Sequence, residues 1–210
     1  GILNQSHAPV FLVLGDNEWN DCPNINQGFD YWMKVFGRFE EQWDHSFSII
    51  RHDERTENFY FVHKRTLFFG LNIVGGLHRP IEWEERLQDL YEWVKATVDL
   101  RVASDQPEAD SVVIFGHADP NNNHADFFDS LKVYLGEDSV ADIPFLYLNG
   151  DAHAWDYKES FYDRSNFLRM QVEGGTREPP LQVSLDNTNA RSKPASNVFS
   201  YDRMLSEIEI

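Results

Sequence analysis

An α/β fold is what this sequence predicts, and three observations carry the prediction. Apolar runs of strand length recur along the chain, at 10–14, 59–63, 67–73, 112–116, 144–149, 167–173 and 181–185. Segments with helical spacing alternate with them. Runs such as "SVVIFG" and "IPFLYLNG" are almost continuously apolar, as in strands covered on both faces of a layered sheet. At 210 residues the chain has the length of one sizeable domain with a proper core.

The clearest helix begins after Pro80. Leu87, Leu90, Tyr91, Val94 and Val98 recur at three- and four-residue steps and share one face. Glu82, Glu84 and Glu85 place negative charge at the positive end of its dipole. A second helix is predicted over 28–43 and a third over 125–135. "DQPEAD" (105–110) and "DNTNARSKPASN" (186–197) read as polar loops.

Acidic residues outnumber basic ones by 35 to 18, a formal net charge of −17. Such a surface repels nucleic-acid phosphates and anionic membranes, which argues against both as partners. No apolar run approaches the roughly 20 residues of a membrane span. Cys22 is the single cysteine, and "NQS" at Asn4–Ser6 is one glycosylation acceptor pattern. With a first residue, Gly1, that is not Met, these features lead to the expectation of a processed or truncated chain from a secreted or extracellular protein.

Three apolar runs end alike. "VFLVLGDNEW" reaches Gly15-Asp16, "SVVIFGHADP" reaches Gly116-His117, and "PFLYLNGDAHAW" reaches Gly150-Asp151 with His153 two residues on. Glycine there allows a sharp turn without a Cβ clash. The next side chain is then presented at the carboxyl edge of a sheet, where open α/β sheets bind their ligands. In an extended segment Asp151 and His153 leave the same face. Carboxylates and imidazoles gathered in this way are the donors of a metal site.

These blocks resemble those of the calcineurin-like metallophosphoesterases, whose hallmarks run D-x-H, G-D-x-x-D, G-N-H-D/E, a strand-end His, then G-H-x-H. "PVFLVLGDNEW" is similar to the G-N-H-E block in a G-D-N-E form. "VVIFGHADP" is similar to the isolated His block, and "LYLNGDAHAW" to the last block with its first His replaced by Asp. "LFFGLNIVGG" and "NFLRMQVEGG…LQVSLD" resemble the strands between and after. The resemblance runs from residue 8 to about 186. It implies a β-sandwich flanked by helices, of which this chain is the C-terminal portion, and a two-metal hydrolase of phosphate esters. Carried over by position, Asp16, His117 and Asp151 complete one metal, His153 belongs to the other, and Glu18 orients its neighbours.

The departures are equally specific. The D-x-H and G-D-x-x-D blocks are missing, so an N-terminal fragment of the same protein is the expected partner that completes the site. Asn17 stands where the family has the His that protonates the leaving group, and an amide is no general acid near neutral pH. His7, His78 and His124 are alternative proton donors without a motif. Two Asp in place of Asn and His make the donor set richer in oxygen, which favours Mn²⁺, Mg²⁺ or Ca²⁺ over zinc or iron. The competing expectations are a metallophosphoesterase fold retained as a structural or binding protein after loss of catalysis, and a binding module in which Asp16 and Asp151 hold Ca²⁺ for stability.

Overall fold

The computed structural model describes residues 3–174 and 178–205; the processed start expected at Gly1 lies outside them. Its nine strands are β1 (Ile50–Arg51), β2 (Phe59–His63), β3 (Thr66–Gly70), β4 (Ser111–Phe115), β5 (Phe145–Asn149), β6 (Asp156–Lys158), β7 (Phe167–Gln171), β8 (Gln182–Leu185) and β9 (Phe199–Asp202). The helices are α1 (Ile25–Phe36), α2 (Pro80–Arg101), α3 (Ala125–Tyr134) and the single turn α4 (Ala195–Val198). The protein is mixed α/β. Seven strands form one sheet in the order β1-β2-β3-β4-β5-β7-β6, and β8 pairs with β9 in a separate two-stranded sheet. Pairing is parallel from β3 through β4 and β5 to β7, and antiparallel at both flanks.

This register decides which loops become neighbours. Gly70 lies opposite Phe115, Phe115 opposite Leu148, and Asn149 opposite Gln171. The parallel strands therefore end level, and the loops that follow β3, β4 and β5 crowd one edge.

Helices cover one face of the large sheet. On α2, Leu87, Leu90, Val94 and Val98 are all buried against sheet residues such as Phe69, Ile114 and Tyr147, as their spacing predicts. Each such side chain contributes about 1.5–3 kcal/mol by leaving water. Arg86 on the same helix is buried too, pairing with Glu57 at 2.6 Å. Helix α1 corrects the predicted span of 28–43. It starts earlier because Asn24 Oδ1 accepts the Gln27 N–H at 3.1 Å, and it stops at Gly37, with only a 3₁₀ turn at Phe39–Gln42 beyond. The predicted loop over 186–197 holds the start of α4, whose Ala195 and Val198 are buried.

The other face carries Val113, Leu146, Leu168 and Met170, covered by Phe199, Val198 and the β8–β9 pair. Beside that pair lies the main departure from the predicted strands. Residues 10–14 belong to neither sheet. Phe11 stacks on Phe61 at 4.7 Å and meets Phe59 at 5.5 Å, so the segment lies across the sheet face rather than at its edge. A strand needs a hydrogen-bonding neighbour in its own plane. Among the described residues, the main chain from Val10 to Gly15 has none. Between this segment and the edge of β8 that has no strand neighbour among the described residues runs an apolar trough of about 630 Å³, lined by Val13, Phe68, Phe115, Leu148, Val183 and Leu185 among others.

Candidate metal centre

Three of the predicted ligands meet at the carboxyl edge of the sheet. Asp16, His117 and Asp151 offer ligand atoms that all lie within 4.8 Å of one another. His117 Nε2 is 2.9 Å from Asp16 Oδ1 and 3.4 Å from Asp151 Oδ1. Asp16 is buried and the other two are half-buried. Two ligands on one ion are separated by at most twice a metal–ligand distance of roughly 2.0–2.6 Å, so the spacing suits a shared cation.

Main-chain hydrogen bonds hold the loops in place. The Ile73 carbonyl accepts both the His117 and the Ala118 N–H at 2.9 Å, which ties the loop after β4 to the one after β3. The His117 carbonyl accepts the Asp151 N–H at 3.0 Å and so ties in the loop after β5. Tyr147 donates its hydroxyl to the Ala118 carbonyl at 2.7 Å. Asp16 enters from a tight turn: its carbonyl accepts the N–H of Trp19 and of Asp21. Trp19 is buried in the core, with the Arg86 guanidinium 4.6 Å from its ring. Asn20 donates to the carbonyls of Gly75 and Leu77 at 2.9 and 2.7 Å.

Charge is unbalanced at this edge. Burial raises the Asp151 carboxyl above its ordinary range. The His117 imidazole opposes that rise, while the negative charges of Asp16 and Asp119 add to it. Like charges held together in a half-buried pocket make a site that a cation would stabilise. The donor set, two carboxylates and one imidazole, suits a hard to borderline divalent ion.

The remaining predicted residues fall outside the triad. His153 is not among the three. The extended geometry expected for 151–153 is replaced by a turn, in which the His153 N–H donates to the Gly150 carbonyl and φ is +51°. That left-handed residue breaks the alternation that would have aimed Asp151 and His153 the same way. Asn17 is exposed, yet both its main-chain N–H and its Nδ2 donate to Asp16 Oδ1, at 2.9 and 3.2 Å. Glu18 is exposed and curls back over Gly15, where a Cβ would come within 2.6 Å of its carboxylate. Of the alternative proton donors, His124 is buried and commits Nε2–H to the Val74 carbonyl at 2.8 Å, whereas His7 and His78 are exposed.

Sequence reasoning missed Gly75. A Cβ there would collide with the Asp151 carboxylate, so only glycine lets that carboxylate lie against the loop after β3. The signal was present, because "LNIVGG" is a further apolar run that ends on glycine.

No protein family, curated protein or solved structure matches this chain. Among the described residues, no helix is long and apolar enough to cross a membrane.

Proposed function

We propose that this chain forms part of a metal-dependent phosphoesterase that hydrolyses phosphomonoesters or phosphodiesters. The observation that carries the reading is the convergence of Asp16, His117 and Asp151, far apart in sequence, within 4.8 Å at the carboxyl edge of the parallel strands of a mixed sheet. Mn²⁺, Mg²⁺ or Ca²⁺ fits the oxygen-rich set best, with Zn²⁺ or Fe as the softer alternatives. When bound, such an ion supplies an activated water and charge neutralisation for the phosphoryl oxygens. The chain's own part is to orient the ion: Asn17 fixes Asp16 through two hydrogen bonds, and the Ile73 and His117 carbonyls lock the loops.

The reading includes a partner segment. Two-metal chemistry needs ligands beyond these three, and the family resemblance assigns them to blocks upstream of residue 8. The trough beside the unpaired 10–14 segment supports this. An extended stretch of the same protein seated there would pair with Val10–Gly15 on one side and β8 on the other, completing a second sheet and hence a sandwich. Export from the cell goes with the same proposal and rests on the exposed Asn4 of the acceptor triplet.

A second reading has its own support. Asn17 donates its amide to Asp16, and the buried His124 has no free N–H to give, so the residues nearest the triad offer no obvious general acid. This favours a binding or structural protein that keeps the cation site without catalysis. Hydrolysis of p-nitrophenyl phosphate and of its bis ester with Mn²⁺, in protein that includes the upstream segment, separates the two. Metal-stimulated turnover that disappears in His117→Ala supports the enzyme. Metal uptake without turnover supports the binding protein, and no uptake at all defeats both.

A further inference from the structure

Behind the metal triad sits a buried guanidinium that neither the sequence motifs nor the triad geometry accounts for. Arg169, in the middle of β7, is 7 % exposed. Its donors are divided among four residues. Nε donates to Asn149 Oδ1 at 3.1 Å, Nη1 to Asp156 Oδ2 at 2.9 Å, and Nη2 to Gln171 Oε1 at 2.6 Å and to the Asp119 carboxylate. Asn149 reinforces the cluster, donating to Asp119 at 3.0 Å and to Gln171 at 2.9 Å. Gln171 in turn donates to the Ala154 carbonyl at 2.8 Å.

The position of these partners is what gives the cluster meaning. Asp119 lies two residues beyond His117, in the loop after β4. Ala154 and Asp156 lie on the chain that leaves Asp151, after β5. One side chain therefore fastens both ligand-bearing loops from behind, through acceptors that only a planar, five-donor fork can serve together.

We propose that Arg169 is the positioning residue of the metal centre: it holds the His117 and Asp151 loops at ligand spacing and keeps the Asp119 carboxylate turned away from the ion. The assignment rests on the metal reading of the triad. Supporting partners of this kind typically change metal affinity by about 10–100-fold when removed.

The sign of the effect separates positioning from simple electrostatics. A guanidinium near a cation site repels the cation, so by field alone Arg169→Met would tighten metal binding and Arg169→Lys would leave it unchanged. Positioning predicts weaker binding in both variants. The loss is roughly tenfold or more for Arg169→Lys, which keeps the charge but cannot reach four acceptors, and up to about 100-fold for Arg169→Met.

The experiment is titration of the full chain and both variants with Mn²⁺ by calorimetry, alongside amide hydrogen exchange without metal. The expected result is weaker Mn²⁺ binding in both variants, with faster exchange at the hydrogen-bonded amides of His117, Ala118 and Asp151 together. Unchanged or tighter Mn²⁺ binding in a folded variant overturns the assignment of Arg169 while leaving the metal site standing. Should Arg169→Met fail to fold, Arg169→Lys decides by the same criterion. Wild-type protein that takes up no Mn²⁺ overturns the metal reading itself, and the role of Arg169 with it.

Discussion

Replacing Gly75 by Ala tests the centre at its tightest steric point. The added methyl would occupy the space of the Asp151 carboxylate, with both oxygens and Cγ closer than any ordinary contact. The obstacle is the end of a half-buried side chain rather than backbone, so Asp151 can yield by leaving its rotamer. That costs about 0.5–1.5 kcal/mol. For a chain of this size the melting temperature should fall by only about 1–6 °C. Metal binding should suffer more, since a displaced Asp151 removes one of three ligands. A loss at least as large as the roughly 10–100-fold typical of outer-shell partners is expected. Calorimetric Mn²⁺ titration and thermal unfolding, repeated in an Asp151→Ala background, measure both effects. With the carboxylate gone the methyl has room, so Gly75→Ala should then cost almost nothing further, a strongly non-additive cycle. An equal stability cost in both backgrounds would locate the clash in the backbone and refute this account.

Three further outcomes follow from the core. Burial lowers the pKa of His124, although its hydrogen bond to the Val74 carbonyl opposes the shift. The folded state thus resists a proton that the unfolded chain binds below about 6.5. Stability is full above that pH and declines as the pH falls from there towards the folded pKa; urea midpoints at pH 5.5 and 7.5 should differ less in His124→Gln, and equal slopes would contradict the assignment. On α2, Leu90→Ala should cost about 2–5 kcal/mol by urea denaturation, whereas Ile81→Ala on the exposed side should stay within about 0.5 kcal/mol. Arg86→Met strands the buried Glu57 with only Asn72 to donate to it, a loss of about 3–5 kcal/mol that the added Glu57→Gln should largely reverse in the same measurement.

Legibility differed between elements for physical reasons. β2, β4, β5, β7 and β8 fall within about two residues of their apolar runs; for β4 and β5 the reason is that a strand covered on both faces is apolar along most of its length. The short β1, β6 and β9 escaped notice. Asp156-Tyr157-Lys158 has no apolar run and owes its conformation to pairing with β7. Residues 10–14 show the opposite case, a strand-like run without a strand, since Phe11 finds its partners on the sheet face and the main chain finds none among the described residues.

The site divides along the same line. Glycine-ended runs marked Asp16, His117 and Asp151 because the chemistry of a ligand and the end of a strand are local properties, written in adjacent residues. The turn at His153 could not be read from D-x-H, because a single left-handed φ leaves no mark in the residue types. Gly75 and Arg169 reach the site through residues tens of positions away, Asp151 for the one and Asp119 for the other. Local propensity and donor type could be read along the chain; which loops become neighbours, and which buried cation ties them, depends on strand order and register. Those are set only when the whole core is packed, because no short segment contains both partners of a long-range contact.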